Sequence, residues 1–171
     1  KAAPAAANAV RTVNERRRSA QGYAFARQHR TLLPQALLIG GVAHRLDRVQ
    51  EIIEYAKEAG LKRIGIANCT VFTKEADRLE LILTDAGFSV DKVSCKLGKI
   101  PFNDLVPGYK GISCNPAGQA KYLEDKGTEL NIMMGLCLGH DMIFNAKSVA
   151  PVTPLVVKDR VLKHNTLERL K

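Results

Sequence analysis

The chain has no tryptophan, and only four tyrosines and five phenylalanines in 171 residues. Single-stranded nucleic-acid platforms stack bases on aromatics set among basic residues, so this scarcity argues against one. No apolar run approaches the roughly 18 to 20 residues that cross a bilayer. The nearest, residues 32–43, is broken by Pro34, Gln35 and two glycines. No two of the four cysteines form a C-x-x-C pair, the clip that most structural zinc sites use. Disulfide scaffolds are usually short, loop-rich and secreted. This sequence has regular α/β patterning instead, so free or metal-bound thiols in a reducing cytoplasm are expected.

Acids are scarce near the N-terminus. Residues 1–48 hold nine Lys/Arg and two acids, a balance of +7, while the remaining 123 residues carry +2 of the overall +9. The basicity therefore belongs to an N-terminal helical or flexible arm, residues 1–43, rich first in alanine and then in arginine. Such an arm suits a protein partner or a larger complex; nucleic acid is the weaker alternative, and a solvated basic helix the bland one. Glu15 to Arg18 faintly resembles a twin-arginine export signal, but too much polar sequence separates it from the apolar stretch. The chain begins at Lys1 without a methionine, as a processed chain or a piece of a longer product does.

What is present is a core. At 46% apolar residues and a mean hydropathy of −0.12, the chain can fill one domain, residues 44–171. Asp47 and Gln50 form a plausible capping box, and Val49, Ile52, Ile53 and Ala56 line one helical face. A strand is predicted over 62–68. Thr73 is expected to cap the next helix, with a strand following at 88–94. Residues 97–113, with three glycines and two prolines, read as a long loop. Asn115 and Pro116 open another helix as cap and first helical residue. A strand at 129–136, a short helix at 139–146, a strand at 154–157 and a terminal helical turn complete the order. Alternation of this kind predicts an α/β fold of three layers: a mostly parallel sheet of about four to five strands with helices on both faces.

Cys69, Cys95, Cys114 and Cys137 follow one another at intervals of 26, 19 and 23 residues, each close to one βα repeat. Cysteines in equal phase on successive repeats converge on the C-terminal edge of a parallel sheet, where such folds place their sites. Four thiolates suit zinc or an iron–sulfur cluster, 4Fe-4S included. Taken singly, each is as readily a small buried hydrophobe. Cys114, just before a helix, is placed for a lowered thiol pKa, as a ligand or a nucleophile needs.

Gly135-Leu-Cys137-Leu-Gly139-His140 is the densest segment. Its G-x-C-x-G form imitates the nucleophile elbow of α/β-hydrolases, and Asp159 and His164 follow in the right order. The chain is too short for that fold. Gly135 and Gly139 are expected instead to admit a cofactor or make a tight turn, with Asn115 beside them. His140 is a ligand, proton donor or cap. The alternative to a metal site is a thiol enzyme with Cys137 or Cys114 as nucleophile and His140 as its aid. Lys158, Asp159 and Arg160 end the last strand on the same edge, with surface charge as their ordinary role.

Cys114-Asn-Pro, Gly135-Leu-Cys-Leu-Gly-His-Asp141, Ala150-Pro-Val-Thr153, Lys158-Asp-Arg-Val-Leu162 and His164-Asn165 together resemble a known family. Gly65 to Cys69 and Val93 to Gly98 also fit. It is the uncharacterised "metal-binding" family called domain of unknown function eighteen-forty-seven, found mostly in anaerobes, and the resemblance runs from about Arg48 to Leu167. It implies a cysteine-bearing α/β protein, suspected metal binding and no assigned reaction. Members usually carry further cysteines near the N-terminus, which this chain lacks, and Met142 and Thr166 depart from the family pattern. The resulting expectation is a metal- or iron–sulfur-binding protein with the four cysteines as ligands, active in electron transfer or as an accessory subunit of a redox complex.

Overall fold

The computed structural model describes residues 45–171, and Arg48–Lys171 form one compact unit. The expected basic arm lies outside the described residues. Its elements are α1 (Arg48–Glu58), β1 (Arg63–Asn68), α2 (Thr73–Asp85), β2 (Ser89–Ser94), the single turn α3 (Phe102–Leu105), α4 (Pro116–Asp125), β3 (Leu130–Met134), α5 (Leu138–Lys147) and β4 (Val152–Val156). The four strands form one parallel sheet in the order β2-β1-β3-β4. Four strands fall within the expected range. No helix among the described residues is long and apolar enough to cross a membrane.

Two apolar layers sandwich the sheet, because successive residues of a strand face opposite sides. Ile64 and Ile66 of β1, with Leu130, Ile132 and Met134 of β3, meet Ile52 and Ala56 of α1 and Ala76, Leu79 and Leu83 of α2. Ala67 of β1 and Met133 of β3 face the other way, against Ala120 and Leu123 of α4 and Phe144 of α5. Helices thus cover both faces, as the alternation predicts. Each large side chain buried there contributes about 1.5–3 kcal/mol of transfer free energy. One close approach has a sequence cause. A Cβ on Gly65 would lie 2.1 Å from Asn131 Oδ1, and Asn131 is held in place by Thr128 and Ser148.

Strand order fixes where a site can form. From β1 the chain crosses to β2 through α2 on one face. It then returns through α4 on the other face to β3, and continues outward to β4 through α5. The reversal makes the C-terminal ends of β1 and β3 a topological switch point, the crevice where open α/β sheets bind ligands.

Three local details differ from expectation. Thr73 does not cap α2: a 3-10 turn, Thr70–Phe72, precedes the helix and puts Phe72 at the cap position. The Thr73 hydroxyl donates instead to the Thr70 carbonyl at 2.8 Å, a local bond that competes with capping. The segment 97–113 is a folded excursion, with a 3-10 turn at Leu97–Lys99, α3, an antiparallel bridge between Pro101 and Ile112, and Phe102 stacked on Tyr109 at 5.5 Å. β4 begins at Val152, ahead of Pro154. Proline is tolerated there because β4 is an edge strand, and the register shifts beside its partner Met133.

Candidate thiolate site

Each sulfur issues from the end of an element. Cys69 follows β1, and its N–H still bonds the Met134 carbonyl at 3.0 Å. Cys95 follows β2, with its N–H on the Asn68 carbonyl at 2.9 Å. Gln119 of α4, fully buried, donates to the carbonyls of Asn68 and Val93 at 3.2 and 2.9 Å. It thereby ties the ends of the two strands from which Cys69 and Cys95 emerge. Cys137 caps α5 in extended conformation. Cys114 precedes Asn115, whose side chain accepts the Gly118 N–H at 2.8 Å and whose own N–H bonds the Cys95 carbonyl at 2.8 Å. The expected Asn-Pro helix start is therefore present, and it also sets Cys114 beside Cys95.

All four cysteines line one cavity of about 140 Å³. Thr70, Val71, Lys96, Leu136, His140, Lys158 and Arg160 complete its wall, and no carboxylate among the described residues lines it. All four are free thiols. The Cys95 and Cys114 sulfurs are 3.7 Å apart. Opposite them, Lys158 Nζ stands 2.7 Å from the Cys69 sulfur and 3.8 Å from that of Cys137, which Arg160 also approaches at 3.7 Å.

The two halves differ electrostatically. Burial pushes the Cys69 thiol pKa up, but the hydrogen bond from Lys158, the Val71 N–H, the Lys158 charge and the Thr70 hydroxyl outweigh it, and the net shift is downward. Cys95 is pushed up to about 11, by burial first, and further by the neighbouring Cys69 and Cys114. A thiol of lowered pKa beside cations thus shares one small cavity with a thiol of raised pKa.

The other residues singled out in the sequence separate by role. His140 lines the cavity. Gly135, Gly139 and Asn115 do not. Gly135 has φ +62°, and a Cβ there would lie 2.0 Å from the Phe72 ring, so this glycine serves the turn and the ring packed over it. Gly139 sits in open space on the first turn of α5. Asp159 and His164 form a turn rather than a triad. The Asp159 N–H donates to His164 Nδ1 at 3.0 Å, the Asp159 carboxylate accepts the Val161 and Leu162 N–H groups, and the imidazole packs edge-on against Phe72. Cys137, with φ −71° and ψ 153°, lacks the strained backbone of a nucleophile elbow. The intimate contact of Lys158 with the sulfurs was missed. Its one sequence signal was position, two residues past the last strand, on the edge that the cysteines share.

Among the described residues, no group of three or more Cys, His, Asp or Glu stands at metal-holding spacing. The donor chemistry nevertheless fits a soft metal, since the four cysteines offer sulfur and His140 beside them an imidazole nitrogen. The 3.7 Å separation of Cys95 and Cys114 also matches the edge of a sulfur tetrahedron with metal–sulfur bonds of about 2.3 Å, which is about 3.8 Å.

A family model described as protein of unknown function (DUF1847) matches residues 8–155. The match begins earlier than the resemblance read from the motifs and stops short of Lys158. An uncharacterized protein of Methanocaldococcus jannaschii is 47% identical over 124 residues, which are 70% of this chain and 64% of that protein. The chain thus spans a little under two thirds of this curated relative's length.

Proposed function

The chain belongs to the DUF1847 family, and on that premise we propose that its cysteine edge is a soft-metal site, with Cys69, Cys95, Cys114 and Cys137 as ligands to zinc or an iron–sulfur cluster. The observation that carries this reading is the convergence of all four sulfurs, from three strand ends and one helix mouth, on a single cavity. Lys158 and Arg160 support it, because a metal held by four thiolates bears net negative charge, and these cations offset it at the sulfurs. The Cys95–Cys114 spacing favours two sulfurs on one metal ion, as in zinc or a two-iron cluster, over 4Fe-4S, where each cysteine takes its own iron. Zinc would fix the loops that supply the ligands, whereas a cluster would supply one-electron transfer. Service in a larger redox complex, docked through the basic N-terminal segment, belongs to this proposal.

Strictly anaerobic isolation followed by metal and acid-labile sulfide analysis tests it. Stoichiometric zinc, or iron with sulfide and an EPR signal on reduction, is expected. A metal-free protein whose four thiols all react with iodoacetamide overturns it. Single Cys→Ser variants should lose metal as a group.

One observation favours a second reading, thiol chemistry at Cys69. Its thiolate is stabilised by Lys158, which shifts the nucleophile's role from Cys137 or Cys114 to Cys69. Loss of reactivity toward an electrophile in Cys69→Ser alone, with the other three variants unaffected, would establish it in place of the metal site.

A further inference from the structure

Of the four sulfurs that line the cavity, two are in direct contact and two share a cation. The Lys158 amine is in reach of both Cys69 and Cys137. Between Cys95 and Cys114 lies nothing: the sulfurs are in direct contact at 3.7 Å. Their backbones are already joined side by side through the Asn115 N–H on the Cys95 carbonyl. A disulfide requires the two sulfurs to approach to about 2.05 Å, with their Cα atoms about 4.4–6.8 Å apart. Side-chain rotation and a small shift of the residues leading into α4 would have to supply the remaining approach from 3.7 Å. Cys95 is almost fully buried, but Cys114 is partly exposed and lines the cavity, so an oxidant reaches the pair through Cys114.

We propose that Cys95 and Cys114 form a reversible intramolecular disulfide, made by exchange with small-molecule disulfides. The Cys114 thiolate attacks one sulfur of the oxidant, forming a mixed disulfide and expelling the first thiolate. The Cys95 sulfur then attacks Cys114, the bond to the oxidant's sulfur breaks, and the second thiolate leaves with the proton that Cys95 gives up. Two protein thiols are oxidised, one small disulfide is reduced to two thiols, and atoms and electrons balance. A bond between the Cys69 and Cys137 sulfurs would have to break the contacts that both make with Lys158. The bridge itself stands independently of the metal reading. Its consequence rests on that reading: closing the pair withdraws two of four ligands, so oxidation releases the metal.

The test uses the full chain in two arms. In the first, reduced, metal-free protein is incubated with glutathione disulfide and mapped by non-reducing peptide mass spectrometry. A Cys95–Cys114 peptide lighter by two hydrogens is expected, with loss of iodoacetamide labelling at both positions and recovery on reduction. Cys114→Ser should abolish it, and Lys158→Met should leave it intact. A dominant bridge between any other pair, or mixed disulfides that never resolve, overturns the proposal. In the second arm, protein exposed to zinc is oxidised in the same way, and released zinc is read with a chromogenic chelator. Zinc release in step with the bridge supports the whole proposal. A bridge in protein that never took up zinc sustains the disulfide and removes zinc from the metal reading. Zinc uptake without any bridge in the metal-free arm does the reverse.

Discussion

Lys158 Nζ lies 2.7 Å from the Cys69 sulfur, a contact between residues 89 positions apart in the chain. It joins the loop after the edge strand β4 to the loop after the central strand β1, in the wall of the cysteine cavity. Replacing Lys158 with Met keeps the aliphatic stem and removes the charge. The Cys69 thiolate then forms only at higher pH. In metal-free protein, labelling of Cys69 by iodoacetamide should slow several-fold at neutral pH and recover at alkaline pH, as read by peptide mass spectrometry across a pH series.

Cys95 links stability to pH in the opposite sense. Its thiol is held neutral up to about 11 in the folded chain, against an ordinary 9.0. Between those values the unfolded chain has given up a proton that the folded chain keeps, so stability falls as pH rises. The contribution is fully present below about pH 9 and gone above about pH 11. Urea midpoints across this window should decline more steeply for the parent than for Cys95→Ala; equal slopes would contradict the assignment.

Gly135→Ala drives a methyl group into the Phe72 ring and leaves alanine at φ +62°. A loss of about 1–3 kcal/mol in urea unfolding is expected from strain and overpacking. Because this turn hands the chain from β3 to Cys137, the same variant should also bind zinc more weakly.

Asn115→Ala removes the cap of α4, at a cost of about 0.5–2 kcal/mol, whereas Asn115→Asp should retain most of it. Comparing both variants by thermal unfolding separates capping from any other role. The alanine variant should also slow Cys95–Cys114 bridging, as the segment holding Cys114 loosens.

Much of this was legible in the sequence, because the determinants were local or periodic. Three cysteines follow strand ends at about the spacing of βα repeats, and the fourth, Cys114, stands at a helix mouth that the Asn115-Pro116 pair announces. Asn115 and Pro116 announce a helix start by their own chemistry. Contacts between distant segments were not legible. Nothing near Phe72 reveals that its ring lies over Gly135, so that glycine invited a cofactor reading. The Asp159 and His164 pair suggests catalysis by its order, yet a six-residue turn engages both side chains as acceptors of backbone N–H groups. In 97–113, glycines and prolines hid a bridge and an aromatic stack that close the excursion on itself.

The sheet delivers its sulfurs on three connections: one after β1, two between β2 and α4, one after β3. The segment from β2 to α4 thus carries half of the donors. A change there alters two donors together, whereas a change after β1 or after β3 alters one and leaves the other three in place. Cys95 and Cys114 therefore vary as one unit, and Cys69 and Cys137 as two, when the loops of this edge are altered and the core is kept.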